Sequence, residues 1–504
     1  MEVLANLAQG FDVALSPQNL MFCFIGVTIG TFVGVLPGIG ALATISLALP
    51  LTFHLDTIAA LIMLSGIFYG AQYGSSTASI LLNLPGTATA VVTCLDGYPM
   101  ARQGRAGVAL FVTAITSFIG GAVGIVLLMT AAPLIARAAL GFGAPEYFAI
   151  MLLGLVAASS LTVGSALKGY VMILVGVALG LVGIDTTSGQ MRLAFGNHNL
   201  AEGLGLVAVA MGLFGVSELL SNIGATRPAG MPNRVSFRSM LPTRDDWRRI
   251  RLPTLRGSFI GFIIGALPGA GPSIASFLAY AAETRVSRTP ERFGKGAIEG
   301  IAAPEAANNA SVQSAFIPTL SLGIPGDAVM AVLLGALMIH GIAPGPHFIS
   351  DQPEMFWGLI ASFWVGNLLL LVLNIPLIGL WVRLLMVPYS VLFPVILMLV
   401  CFGVFSVRNN MTDVYIMLSA GVGGYVLRNF GYPAAPLLLG FILGPLMEEH
   451  FRRALLMARG DITVFLQRPV AAGLLAVTAL LLVLPVLRSA TMRKLLAGAR
   501  GPSS

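Results

Sequence analysis

Long apolar stretches without charge recur along the whole chain, and no other feature limits its fold so strongly. The clearest cover residues 19–35, 57–73, 107–136, 147–167, 169–184 and 203–220. After a polar interval come 257–267, 310–339, 355–380, 390–407, 414–426, 436–447 and 470–487. A helix needs about 20 apolar residues to cross the hydrocarbon core. Some stretches are shorter than that or broken by Gly and Pro, so about 10–12 crossings plus re-entrant pieces are expected. Only 10% of the 504 residues are charged and 57% are hydrophobic, against roughly 25% charged in soluble domains. That excludes an ordinary soluble enzyme and makes an all-α polytopic membrane protein the expected fold class.

The net charge of +7 is mostly arginine, as in cytoplasmic loops. The most polar interval, residues 221–256, carries eight arginines against Asp245 and Asp246 and is broken by Pro228, Pro232, Pro242 and Pro253. It reads as a basic cytoplasmic linker between two transmembrane halves, 1–220 and 257–468, with a last helix and tail at 469–504. Four prolines leave no folded basic domain, so no nucleic-acid partner is expected. The partner at this level is the lipid bilayer. Residues 1–18 carry Glu2 and Asp12 without a basic start, so no cleavable leader is expected.

The halves share an ordered pair of motifs. Gly30-Thr31-Phe32-Val33-Gly34-Val35-Leu36-Pro37-Gly38-Ile39-Gly40 returns 231 residues later as Gly261-Phe262-Ile263-Ile264-Gly265-Ala266-Leu267-Pro268-Gly269-Ala270-Gly271. Leu82-Asn83-Leu84-Pro85-Gly86 returns 240 residues later as Leu322-Gly323-Ile324-Pro325-Gly326. Two matches in the same order argue for internal duplication. Loop charges suggest opposite orientation. Arg102 and Arg105 follow the second motif of one copy, whereas Arg285, Arg288, Arg292 and Lys295 follow the first motif of the other. With basic loops facing the cytoplasm, the copies are inverted repeats with broken helices, as in secondary transporters. A fortuitous charge pattern in four short loops is the alternative.

Proline removes a backbone donor and clashes with the preceding turn. A Pro-Gly interruption inside the membrane frees N–H and C=O groups that lipid cannot pair. Helix ends then attract anions, and freed carbonyls suit Na⁺. Pro37, Gly38, Gly40, Pro268, Gly269 and Gly271 are accordingly candidates for helix breaks and for a cation site, Na⁺ held by backbone carbonyls being the only metal envisaged. A kink packed against a neighbouring helix is the bland alternative. Around the second motif pair lie small hydroxyl and amide side chains: Ser75, Ser76, Thr77 and Asn83 in one copy, Asn308 and Asn309 in the other. They can hold a carboxylate without burying an arginine, or they can glue helices together. Glu305 reads as a cation or proton ligand or as a helix N-cap after Pro304. Asp96 and Asp327 are equally open, and Lys168 reads as a snorkelling lysine.

No P-loop is present around Lys295, and no HExxH or GxSxG occurs, so neither ATP hydrolysis nor hydrolase chemistry is expected. The glycines at Gly269 and Gly271 lack the strand–helix context of a dinucleotide fingerprint. Cys23, Cys94 and Cys401 show no ligand spacing. No cofactor is expected beyond a coupling ion.

The run from Gly34 to Arg105, with Tyr73-Gly74-Ser75-Ser76-Thr77 and Leu82-Asn83-Leu84-Pro85-Gly86-Thr87, resembles the large membrane subunit of the tripartite tricarboxylate transporters. Pro304-Glu305-Ala306-Ala307-Asn308-Asn309-Ala310, residues 317–326 and Gly335-Ala336-Leu337-Met338-Ile339-His340-Gly341 extend the resemblance, which covers roughly Phe24 to Arg453. It implies a small membrane subunit and a periplasmic solute-binding protein as partners. It also implies import of carboxylates such as citrate across the bacterial cytoplasmic membrane, driven by Na⁺ or H⁺. Motif position then points to Ser75, Ser76, Asn83, Pro85, Gly86, Asn308, Asn309, Pro325 and Gly326 as the solute region. The expectation is a site between the two repeats, moved as an elevator. A stand-alone symporter and a scaffold or channel subunit are the competing expectations.

Overall fold

The computed structural model describes residues 2–36, 40–160, 165–185, 189–221, 237–268, 271–384 and 389–498. Helices dominate them. In chain order they are α1 Glu2–Ala14, α2 Pro17–Val35, α3 Ala41–Thr52, α4 Thr57–Leu82, α5 Val91–Met100, α6 Ala106–Ala139, α7 Ala144–Ser160 and α8 Ala166–Gly180. After β1 Gly183–Ile184 and β2 Met191–Arg192 come α9 Leu206–Ala210, α10 Ser217–Ser221, α11 Arg244–Gly265, α12 Gly271–Val286, α13 Glu299–Ser314, α14 Phe316–Leu322, α15 Ala328–Ile339 and α16 Phe348–Asp351. The last seven are α17 Pro353–Asn374, α18 Ile378–Leu384, α19 Tyr389–Arg408, α20 Met411–Asn429, α21 Ala434–Met457, α22 Val464–Gln467 and α23 Pro469–Gly498.

Four helical runs among the described residues are long and apolar enough to cross a membrane: α2, α4, the run Ala88–Ala139 and α17. Others, such as α3 and α15, are apolar but short. These short helices follow the Pro-Gly interruptions, where the chain stops and restarts. Asn83 ends α4 with φ 56° and Gly323 ends α14 with φ 70°. Gly40 precedes α3 with φ 59°, and Gly271 opens α12 with φ 66°. Both pairs stand at the offsets of the sequence motifs. Pro37, Gly38 and Gly269 lie outside the described residues.

Contacts group the chain into two compact units, residues 1–140 with 204–429 and residues 141–203 with 430–504. This grouping differs from the division by sequence halves, because α7 and α8 of the first half cluster with α21 and α23. The stretch 221–256, read as linker, is helical from Arg244 onward. The Thr243 side chain and Asp246 form a reciprocal capping box that starts α11, and Pro253 is carried inside it.

The first unit is built on two helix pairs that contact without side chains between them. A Cβ on Gly26, Gly30 or Gly34 of α2 would collide with the backbone of Met63, Ile67 or Ala71 of α4. A Cβ on Gly257, Gly261 or Gly265 of α11 would collide with that of Ala303, Ala307 or Ser311 of α13. The glycines are 231 apart and their partners 240 apart, so the same close crossing is made twice. Between lipid-embedded helices such small-residue contacts replace hydrophobic drive with van der Waals packing. The short helices cross over reciprocally. First-copy α3 packs against second-copy α15, and second-copy α12 packs against α5 and the turn Ala88–Ala90.

In the second unit α8 and α21 make a similar crossing, Gly176 against Leu437 and Gly440 against Ile173. Arg452 binds Glu448 at 2.6 Å and Asp185 at 3.2 Å, and Arg192 binds Glu448 at 2.8 Å. Lys168 lies half-exposed near the start of α8. It donates to the Phe430 carbonyl and stands 4.8 Å over the Tyr432 ring.

Candidate functional site

Within the first unit, α4 is buried from Ala59 to Ile80 and α13 from Gly300 to Ser314. A helix covered on every side belongs to the interior, so a polar side chain on either has only other protein groups to pair with. Glu305 is the one acid among the buried residues of α13. The helix begins at Glu299 after Ile298 and holds Pro304 inside it. Glu305 is therefore no N-cap, and that reading falls.

Its carboxylate is 1% exposed and is met by hydroxyls from three other helices. Ser76 Oγ of α4 donates to Oε1 at 2.7 Å, and Thr93 Oγ1 of α5 donates to the same atom. Ser117 Oγ of α6 donates to Oε2 at 3.2 Å. Among the described residues no arginine or lysine forms an ion pair with it. A bare buried carboxylate is costly, and hydroxyl donors offset only part of the cost.

Beside it lies a cavity of about 10 Å³, lined by Tyr73, Thr77, Thr113, Ser117 and Asn374 among others, space for about one water. Tyr73 Oη donates to Asn367 Oδ1 at 2.6 Å, and Asn367 Nδ2 donates to the Phe118 carbonyl at 3.0 Å.

A second polar cluster continues from the first-copy turn. Thr89 Oγ1 donates to Gln72 Oε1 at 2.7 Å, and the Thr87 and Thr89 hydroxyls are 2.7 Å apart. Thr87 Oγ1 donates to Ser75 Oγ at 3.1 Å. Asn308 Nδ2 reaches Thr89 Oγ1 at 3.4 Å, whereas Asn308 Oδ1 is buried without a hydrogen-bond partner. Ser311 Oγ and Gln313 Oε1, on the same helix, are also buried without one. Such groups call for a specific explanation.

The structure therefore brings Ser76 to Glu305, Thr77 to the adjoining cavity, and Ser75 and Asn308 to the threonine cluster. Gly86 closes that cluster from behind, since a Cβ there would meet Gly34 O and Ser75. Other candidates stand apart. Asn309 Nδ2 donates to the Glu305 carbonyl within its own helix at 3.0 Å. Asn83 and Pro85 are exposed. Gly326 packs on Ala315, and its N–H reaches Thr319 Oγ1 at 3.4 Å. Pro325 is buried beside it, Pro268 is half-buried, and Gly40 and Gly271 start short helices. Asp327 caps α15 by accepting the Met330 N–H at 2.8 Å. Asp96 accepts the Gly296 and Ala297 N–H groups at 2.8 Å and the Tyr280 hydroxyl at 3.0 Å. Both aspartates are occupied by the backbone. Sequence reasoning missed Thr89, Thr93, Ser117 and Asn367. The four-residue spacing of Thr89 and Thr93 was the one available signal.

Apolar spans around a buried carboxylate and hydroxyl cluster define a polytopic membrane protein of the transporter kind. Residues 20–439 match the Tripartite tricarboxylate transporter TctA family, and the chain belongs to that family, the large subunits of tripartite tricarboxylate transporters. It is 51% identical over 491 residues, 97% of either chain, to an Agrobacterium vitis protein described as "Uncharacterized 52.8 kDa protein in TAR-I ttuC' 3'region". A second protein of that organism, "Uncharacterized protein in TAR-II ttuC' 3'region", is 53% identical over 232 residues, covering 45% of this chain and 96% of its own. No solved structure matches the chain.

Proposed function

We propose that this chain carries di- or tricarboxylates such as citrate inward across the bacterial cell inner membrane, by symport with Na⁺ or H⁺. It would act with a small membrane subunit and a periplasmic solute-binding protein. The observation that carries the reading is Glu305, a carboxylate held by three hydroxyls and, among the described residues, by no basic side chain. Ionisable groups inside a membrane protein mark ion or proton pathways. Glu305 is the coupling group. Protonated or beside Na⁺, it removes the repulsion that a carboxylate substrate would meet in a low-dielectric site.

Asn308 and the threonine cluster supply neutral donors for the solute, and Asn308 Oδ1 offers an oxygen to a cation. The two copies would be inverted repeats that meet at this site. The repeated glycine crossings and the reciprocal packing of short helices support that relation, as do the loop charges. A cavity with room for one water requires the copies to part before a tricarboxylate enters.

The test is uptake into proteoliposomes that contain the chain and both partner subunits, across a panel of di- and tricarboxylates. Accumulation that disappears when the Na⁺ and proton gradients are collapsed supports the reading. Equal flux with and without gradients would make the chain a channel subunit.

A further inference from the structure

The first three turns of α11 carry more charge than their protein contacts use. Asp246 is held by Arg105 at 2.7 Å, Asp245 by Arg249 at 2.6 Å, and Glu283 by Arg256 at 2.7 Å. Arg249 also approaches Glu299 at 3.6 Å. Three arginines are left over. Among the described residues Arg244, Arg248 and Arg251 take part in no ion pair, and all three are exposed.

Their spacing of four and three puts them in one row along the helix. Like charges on adjacent turns repel one another, so the row is unfavourable until an anion joins it. With Trp247 they line a surface cavity of about 530 Å³. The indole is fixed from behind, edge-on to Phe111 with ring centres 6.3 Å apart.

The same helix face continues as an apolar track. Leu255, Phe259 and Ile263 follow Arg251 at successive steps of four, and are 46%, 53% and 60% exposed. A charged row that holds a tryptophan, followed by an apolar row on one face, matches the boundary between headgroup and acyl region of a bilayer. A soluble phosphate would use only the first row. Guanidinium groups also suit phosphate oxygens by geometry.

We propose that Arg244, Arg248 and Arg251 with Trp247 form a specific site for an anionic glycerophospholipid. Its headgroup phosphate lies in the arginine cavity and its acyl chains run along Leu255, Phe259 and Ile263. The site fixes the level of α11 in the membrane. Since α11 crosses α13 at Gly257, Gly261 and Gly265, lipid bound there also steadies the helix that bears Glu305.

The test uses the full-length purified chain in neutral detergent. Binding of phosphatidylglycerol, phosphatidylcholine and inorganic phosphate is measured by native mass spectrometry. Wild type is expected to retain phosphatidylglycerol over phosphatidylcholine, and millimolar phosphate should not displace it. The variant R244Q/R248Q/R251Q should bind phosphatidylglycerol about a hundredfold more weakly, from the attraction of three basic residues to anionic lipid. R244K/R248K/R251K keeps the charge and should keep most of the binding, which separates charge loss from misfolding. Displacement by phosphate alone would make this a free-anion site and overturn the lipid assignment. Unchanged phosphatidylglycerol binding by the Gln variant would overturn the site itself.

Discussion

Ser76 Oγ donates to Glu305 Oε1 at 2.7 Å, joining residues 229 positions apart in the chain. One belongs to the first-copy helix α4 and the other to the second-copy helix α13, so this contact ties the two copies together. Thr93 on α5 adds a second donor to the same oxygen. If Glu305 carries the coupling ion, these donors set its affinity. Ser76→Ala together with Thr93→Val should shift the ion concentration for half-maximal uptake by about tenfold, the effect of losing about 1.4 kcal/mol of charge-assisted hydrogen bonding. Ser79→Ala, which removes a bond to the Ser75 carbonyl and none to Glu305, should leave it unchanged. Ion titrations of uptake compare the two.

Asn308 and Asn309 are neighbours with different duties. Asn308 carries a buried oxygen without a partner, whereas the Asn309 amide serves its own helix backbone. The double variant Asn308→Ala, Asn309→Ala should lose solute uptake while the protein still inserts into the membrane. The single Asn308→Ala should account for most of that loss. Uptake by the single variants at equal membrane levels decides. Loss confined to Asn309→Ala would contradict the assignment.

Where α11 crosses α13, a Cβ on Gly261 would meet the Ala307 backbone. Backbone cannot move aside as a side chain can, so Gly261→Ala should destabilise the unit by about 1–3 kcal/mol through overpacking. Its counterpart Gly30→Ala, against Ile67 and Gly70, should cost a similar amount. Gly215→Ala has open space around it and serves as the control. Thermal midpoints in detergent read the differences.

Acid stability should register the Arg105–Asp246 pair at the start of α11. Burial works to raise the Asp246 carboxyl, but hydrogen bonds from Arg105 and Thr243 outweigh it and hold the group below its ordinary value. A carboxylate depressed in the folded state stabilises it fully above its unfolded value of about 3.9. The contribution is lost as pH falls through the lower folded value. The pair should therefore contribute evenly from pH 8 to 5 and fade only below about pH 4. Asp246→Asn should lower the midpoint at neutral pH and flatten this part of the acid limb. A variant with the wild-type acid profile would contradict it.

Much of the fold was written in local chemistry. Scarce charge and repeated apolar stretches indicated a helical membrane protein. The Pro-Gly motifs at offsets of 231 and 240 marked helix ends that Asn83, Gly323, Gly40 and Gly271 do make. The start of α11 at Arg244 was obscured by its arginines and by Pro253, although Thr243 and Asp246 were spaced as a capping box. The site was less legible. Ser76 and Glu305 were singled out, but nothing in the sequence paired them. Thr93 and Ser117 are two among several hydroxyls in largely apolar runs, 212 and 188 positions from Glu305. Such residues look the same whether they bind a carboxylate or glue two helices, and only the tertiary crossing of α4, α5, α6 and α13 separates the cases.

The most direct measurement is gradient-driven citrate accumulation in proteoliposomes holding the chain with its partner subunits, wild type beside Glu305→Gln. The amide keeps the size of the side chain and removes its charge and its proton. Wild type should concentrate citrate under an imposed Na⁺ or proton gradient, and the variant should fail to concentrate it while remaining folded and inserted. Accumulation by Glu305→Gln equal to wild type, with the same ion dependence, would contradict the account.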